Sequence, residues 1–171
     1  MPMLTNDRLI QAFETNVVVV PVAANTIIYA GALVALNTTN GTAVPASDAA
    51  SRVVLGVAEE RADNSTGAAG AKTVKVRFGR AYKFNASGTI NNTHIGRVAY
   101  VVDDNTVSVS LTTNRVKAGK IVAVDADGVW VWIPYPGLSV GAPSSTIDGT
   151  YDINESGVLS ALRDQHNNYE L

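Results

Sequence analysis

Apolar residues in this chain come in short runs or in strict alternation, and seldom at the three-to-four-residue spacing of an amphipathic helix. Val17-Val18-Val19-Val20-Pro21-Val22 is β-branched and too short for a helix, which predicts a buried strand ending near Pro21. Ile27-Ile28-Tyr29 and Leu33-Val34-Ala35-Leu36 follow, and Asn37-Thr38-Thr39-Asn40-Gly41 supplies a turn. Arg52 to Ala58 reads as the next strand, and Asp63 to Gly70 as a small-residue loop leading out of it. Thr73 to Phe78 alternates cleanly: Val74, Val76 and Phe78 face inward while Lys75 and Arg77 face water. Tyr82 and Phe84 continue that alternation.

Val98 to Val102 and Thr106 to Leu111 are joined by a tight turn at Asp103-Asp104-Asn105. Val107, Val109 and Leu111 are expected on one side, with Ser108 and Ser110 on the other. Lys120 to Val124 and Val129 to Ile133 flank Asp125-Ala126-Asp127-Gly128, the strongest hairpin signal in the chain. About ten short strands with closely spaced turns predict an all-β fold, a compact small barrel or sandwich. Pro134-Tyr135-Pro136-Gly137 ends the sheet, because proline cannot donate to a ladder.

The organisation reads as an N-terminal arm (1–16), a β-rich domain (17–136) and a linker with a C-terminal segment (137–171). Leu9, Ile10 and Phe13 share one side of a helical turn or a short sticky arm. Asn154 as N-cap, followed by Val158, Leu159 and Leu162, predicts a short helix within 154–166, weakened by Gly157. An internal repeat is suggested as well. Gly31-Ala32-Leu33-Val34-Ala35-Leu36 resembles Gly96-Arg97-Val98-Ala99-Tyr100-Val101 at an offset of 65. Thr42 matches Thr106 at 64, and Gly56 matches Gly119 at 63. A steady offset points to two copies of one β unit, with chance similarity in a Val- and Ala-rich chain as the alternative.

The 171 residues are enough for one domain with arms, and 46% hydrophobic content excludes a disordered chain. A net charge of −2 leaves no basic excess to neutralise phosphates, so nucleic acid is not an expected partner. The first residues lack the basic start and apolar run of a signal peptide, and no run of 18 apolar residues occurs. A soluble chain made in the cytoplasm, with no membrane partner, is expected. Cysteine is absent, which excludes disulfide scaffolds, thiolate metal sites and cysteine nucleophiles together.

Motifs that resemble catalytic machinery fail on context. Gly67-Ala68-Ala69-Gly70-Ala71-Lys72-Thr73 lacks the G-x-x-x-x-G-K-[ST] spacing of a phosphate loop and precedes a strand. Gly137-Leu138-Ser139-Val140-Gly141 matches a nucleophile elbow, with Asp152 and His166 following in hydrolase order. Pro143 disfavours the helix that elbow needs, and no βαβ alternation surrounds it. Asp125 and Asp127 hint at a calcium loop, but the bidentate Glu would fall at Pro136. His94 and His166 have no partners at metal-ligand spacing, and His94 is placed in a loop beside Gly96. No enzyme, metal or cofactor is expected. Trp130 and Trp132 alternate with Val129, Val131 and Ile133, so both indoles share a sheet face suited to an oligomer or partner interface.

The segment from Pro21 to Ile133 resembles the head decoration (cement) proteins of tailed bacteriophages. The resemblance rests on Gly31 to Leu36, Val44-Pro45, Leu55-Gly56-Val57-Ala58, Val74 to Tyr82, Ile95 to Tyr100 and the terminal hairpin. The segment after Pro136 departs from the compact members of that family. What the resemblance implies is a structural virion protein that binds the outside of an assembled shell and bridges neighbouring major capsid protein subunits. It would act as a homotrimer or, less expectedly, a dimer. Leu4, Leu9, Ile10 and Phe13 of the arm would be the capsid-binding residues, burying apolar surface in a partner groove. Two rivals are a head fibre or carbohydrate-binding module using Trp130, Trp132 and the C-terminal segment, and a small hydrolase built on Ser139 and His166.

Overall fold

The computed structural model describes residues 16–136. The arm and the segment from 137 onward, with Leu4, Leu9, Ile10, Phe13, Ser139, Asp152, His166 and the expected helix at 154–166, lie outside the described residues. The fold is all-β, as the alternation predicts. The first half holds β1 (Val17–Pro21), β2 (Thr26–Ile28), β3 (Leu33–Asn37), β4 (Thr42–Pro45), β5 (Arg52–Ala58), β6 (Ala62–Asn64) and β7 (Thr73–Arg77). The second holds β8 (Arg80–Ala86), a 3-10 turn (Asn92–His94), β9 (Val98–Val101), β10 (Thr106–Ser108), β11 (Lys117–Asp125) and β12 (Gly128–Ile133).

Two five-stranded arrays share one plan. The first is ordered β1-β7-β5-β3-β4, and the second is a closed barrel in which β8-β12-β11-β9-β10 follow the same order. β10 closes the barrel by pairing in parallel with β8, Thr106 with Asn85 and Val107 with Ala86. In the first array the same two positions, Val22 and Ala43, 64 residues earlier, form a single parallel bridge. Finer detail repeats too. Gly31 and Gly96 both take positive φ, 84° and 86°, open to glycine and strained for other residues. Gly31 N–H donates to the Ala58 carbonyl at 2.8 Å, and Gly96 N–H to the Ile121 carbonyl at 2.8 Å. The β3–β5 ladder bulges at Leu55, and the β9–β11 ladder bulges at Ala118, 63 residues on. The repeat is therefore built into register, bulge and closure, and does not rest on matching letters alone.

The interiors match position by position. Val20, Val34, Leu36, Ala43, Ala58, Val74 and Val76 line the first array. Their counterparts Phe84, Ala99, Val101, Val107, Ile121, Val129 and Val131 line the barrel. Residue size differs between the copies (Val34 for Ala99, Ala58 for Ile121), but every one of these positions stays apolar.

Four expectations need correction. The first valine run is only half-buried, with Val19 60% exposed, because β1 pairs along its length with β7 alone and is not enclosed on both sides. The expected loop at Asp63–Gly70 begins inside β6, where pairing with β2 overrides the turn-forming preference of Asp and Asn. Leu111 does not follow Val107 inward: β10 ends at Ser108, the alternation stops with the ladder, and Leu111 is 61% exposed. Ser108 itself is buried, its hydroxyl accepting from Ser110 N–H at 3.1 Å. The count of strands among the described residues is twelve, since β4 and β6 are short and carry no strong pattern.

Candidate interaction face

The outer face of β8, β12, β11 and β9 carries the side chains with most to offer a partner. Strict alternation in β12 sends Val129, Val131 and Ile133 into the core and leaves Trp130 and Trp132 outside. Register then sets their neighbours. Ala81, Trp132, Lys120 and Val98 form one row across the four strands. Lys83, Trp130 and Ala123 form the next, and Tyr100 opposes Lys117 at the edge.

The two tryptophans share that face as expected but are not equivalent. Trp130 is half-buried, and its indole N–H donates to Asp125 Oδ2 at 2.7 Å. Lys83 Nζ stands 5.9 Å from the indole centroid, 3.1 Å from Asp125 Oδ2, and in an ion pair with Asp127. The Trp130 hydrogen bond and Lys83 hold the Asp125 carboxyl below its usual range, and Lys83 does the same for Asp127. Both carboxylates in turn raise the Lys83 ammonium, Asp127 foremost. Trp130 is thus a strut of its own hairpin. Trp132 is 41% exposed and has no such tether among the contacts that fix Trp130. Beside it lie exposed Lys120 and Lys117, half-exposed Tyr100 and Val98, and Val122, which the β11 bulge turns outward. Sequence reasoning found the tryptophans but missed Tyr100, Lys117, Lys120 and Val122. The bulges at Ala118 and Val122 break the alternation that would have placed them on one side.

The remaining chemical candidates among the described residues have the following surroundings. A shallow depression of about 400 Å³ is lined by Asn85, Thr89, Ile90, Asp125 and Asp127, whose carboxylates are engaged by Lys83. His94 ends the 3-10 turn, where its Nδ1 accepts from Asn91 N–H at 3.1 Å. The Gly67–Thr73 segment runs into β7, a strand, and so lacks the helix N-terminus of a phosphate loop. Among the described residues no group of three or more His, Asp or Glu side chains is placed to hold a metal ion, and no helix is long and apolar enough to cross a membrane. Comparison with family models, with curated proteins and with solved structures finds no match to this chain.

Proposed function

We propose that this is a structural protein that binds the outer surface of an assembled phage capsid and stabilises it by bridging neighbouring major capsid protein subunits. The sequence resemblance suggests the setting. The observation that supports a binding role is the outer barrel face, where Trp132 opposes Lys120, Tyr100 opposes Lys117 and Val122 is exposed on the same strand as both lysines. Rigid strands present such side chains at little entropic cost on association. Tryptophan and tyrosine are the residue types that most often anchor interfaces. A ligand that binds only the assembled shell stabilises it by about 2.7 kcal/mol per site at a hundredfold excess over Kd. A homotrimer would multiply weak contacts into a lasting one.

Co-sedimentation of the purified chain with assembled capsids, against unassembled capsid protein, tests the reading. Binding to the shell alone is the expected result; equal indifference to both overturns it. Removal of residues 1–16 is expected to abolish capsid binding while leaving the β domain folded by circular dichroism, and retained binding would refute the role given to Leu4, Leu9, Ile10 and Phe13. The exposed indole of Trp132 also favours a second reading, a carbohydrate-binding head fibre. Glycan-array binding lost in Trp132→Ala, with the fold intact, would establish that one instead.

A further inference from the structure

The two β units are not covered alike. In the first, β3 from Leu33 to Ala35 and β5 from Val54 to Ala58 are buried on both faces. Val34, Leu55 and Ala58 pack inward, while Leu33, Ala35, Val54 and Val57 on the outer face join the core cluster of the second unit. The second unit reaches this face through its β9–β10 turn and the segment leading into β11. Leu33 N–H donates to the Asp104 carbonyl at 2.7 Å, and Asn114 binds Asp48 through its backbone N–H at 3.0 Å and its side-chain amide at 2.8 Å. Val116 is buried in the same cluster.

Carrying these positions forward along the repeat gives Val98 for Leu33, Tyr100 for Ala35, Lys117 for Val54 and Lys120 for Val57, with Trp132 in the place of Arg77. None of the five is buried. Carrying the covering surface backward gives a matching gap. Val53 stands where Val116 does and is 42% exposed, and the turn at Thr38–Gly41, which corresponds to the β9–β10 turn, is exposed throughout. Among the described residues there is therefore one filled contact between the units, one uncovered acceptor face on the second unit and one uncovered inserting surface on the first.

We infer that the Trp132–Tyr100 face receives the first β unit of another copy of this chain, head to tail, repeating between chains the contact already made within one. This deepens the proposed binding role, since it draws on the same face and names its occupant as a second copy of the chain. Replacing Val54 and Val57 by Lys117 and Lys120 keeps the open face soluble, and Trp132, Tyr100 and Val98 keep it adhesive, so the contact between chains is reversible where the internal one is permanent. Such a contact is heterologous: it closes into a ring or runs on as a filament. Repeat arrays left without a capping face behave in this way.

Sedimentation velocity on the full chain, with Trp132→Glu and Val53→Glu variants, tests it. Both substitutions sit on exposed positions, and circular dichroism confirms that each variant is folded. The wild type is expected to associate as concentration rises, and each variant to weaken association about 30-fold or more. An equimolar mixture of the two variants is expected to form a dimer that stops at two chains, because Trp132→Glu keeps its inserting surface and Val53→Glu keeps its acceptor face. A wild type monomeric to about 1 mM overturns the inference. So does association unaffected by either variant, or a mixture no larger than its parts, which is the behaviour of a symmetric contact. Self-association and capsid co-sedimentation are read separately, so a failure of this contact is distinguishable from a failure of the capsid role.

Discussion

The first β unit and the second follow one strand order, yet they solve closure differently. The second closes with a two-residue parallel pairing between β10 and β8, and its β11–β12 connection is a short turn. The first has a single parallel bridge at that seam and inserts β6 between β5 and β7, pairing it with β2 so that Ile28 and Ala62 add to its core. Buried Asn64 ties the insertion down, its amide donating to the carbonyls of Ala23 at 2.8 Å and Ala68 at 2.9 Å. The comparison teaches that a β unit with residues as small as Ala and Val needs a complete wall, and that wall is supplied either by hydrogen bonds or by added chain.

The largest expected effect falls where the units agree. A Cβ at Gly56 would overlap the Arg77 carbonyl oxygen, and one at Gly119 the Trp132 carbonyl oxygen, because the bulge brings the neighbouring backbone against the strand in both copies. Gly56→Ala and Gly119→Ala are each expected to cost about 3 kcal/mol or more in urea unfolding, Gly56→Ala the more since its φ of 153° adds backbone strain. Tolerance of either would break the equivalence of the two bulges.

The next effect separates the units. Leu33 is fully buried between them, and Leu33→Ala is expected to cost about 3 kcal/mol, against about 1 kcal/mol or less for its half-exposed counterpart in Val98→Ala. Similar costs would show that the covered and open faces are not as different as their burial. Asn64→Ala, which strands buried carbonyls only in the first unit, is expected to cost about 2 kcal/mol by the same measurement.

Smallest is a pH effect at the Lys83–Asp125–Asp127 cluster of the second unit. Asp125 and Asp127 titrate below their usual range in the folded state, so their contribution is present above the ordinary Asp value near 3.9 and is lost as pH falls through the lowered folded values. Lys83, raised, contributes below its ordinary value near 10.4 and loses that contribution as pH rises through its folded value. Asp104 works the other way: burial, helped by Asp103, raises it, so its contribution is lost as pH rises through the acid range. Trp130 emission, read in Trp132→Phe, is expected to shift on acidification below about pH 4, and Asp125→Asn to remove most of that shift. An unchanged shift in Asp125→Asn would dissociate Trp130 from its tether.

Much of this fold was legible in the chain. The Asp125–Gly128 hairpin, the inward set Val74, Val76 and Phe78, and the outward pair Trp130 and Trp132 follow from a period of two, which local backbone geometry imposes on any paired strand. The repeat was visible as an offset in glycines and a few apolar letters. β6 was not legible, because Asp63 and Asn64 favour turns and become a strand only through pairing with β2. The candidate face was half legible: alternation exposed the tryptophans, but bulges that exist only as mismatched ladders chose which lysines and which tyrosine join Trp132.

The all-β class, most strand positions and the apolar side of each strand follow from the order of residues alone, since these depend on neighbours along the chain. Folding in three dimensions is what seals the Leu33 and Val57 face and leaves the Val98 and Lys120 face exposed, and what makes Trp130 a strut while Trp132 stays exposed. Those distinctions arise from contacts between positions far apart in sequence, such as Leu33 with Asp104 and Lys83 with Asp127, and alternation along a strand carries no information about them.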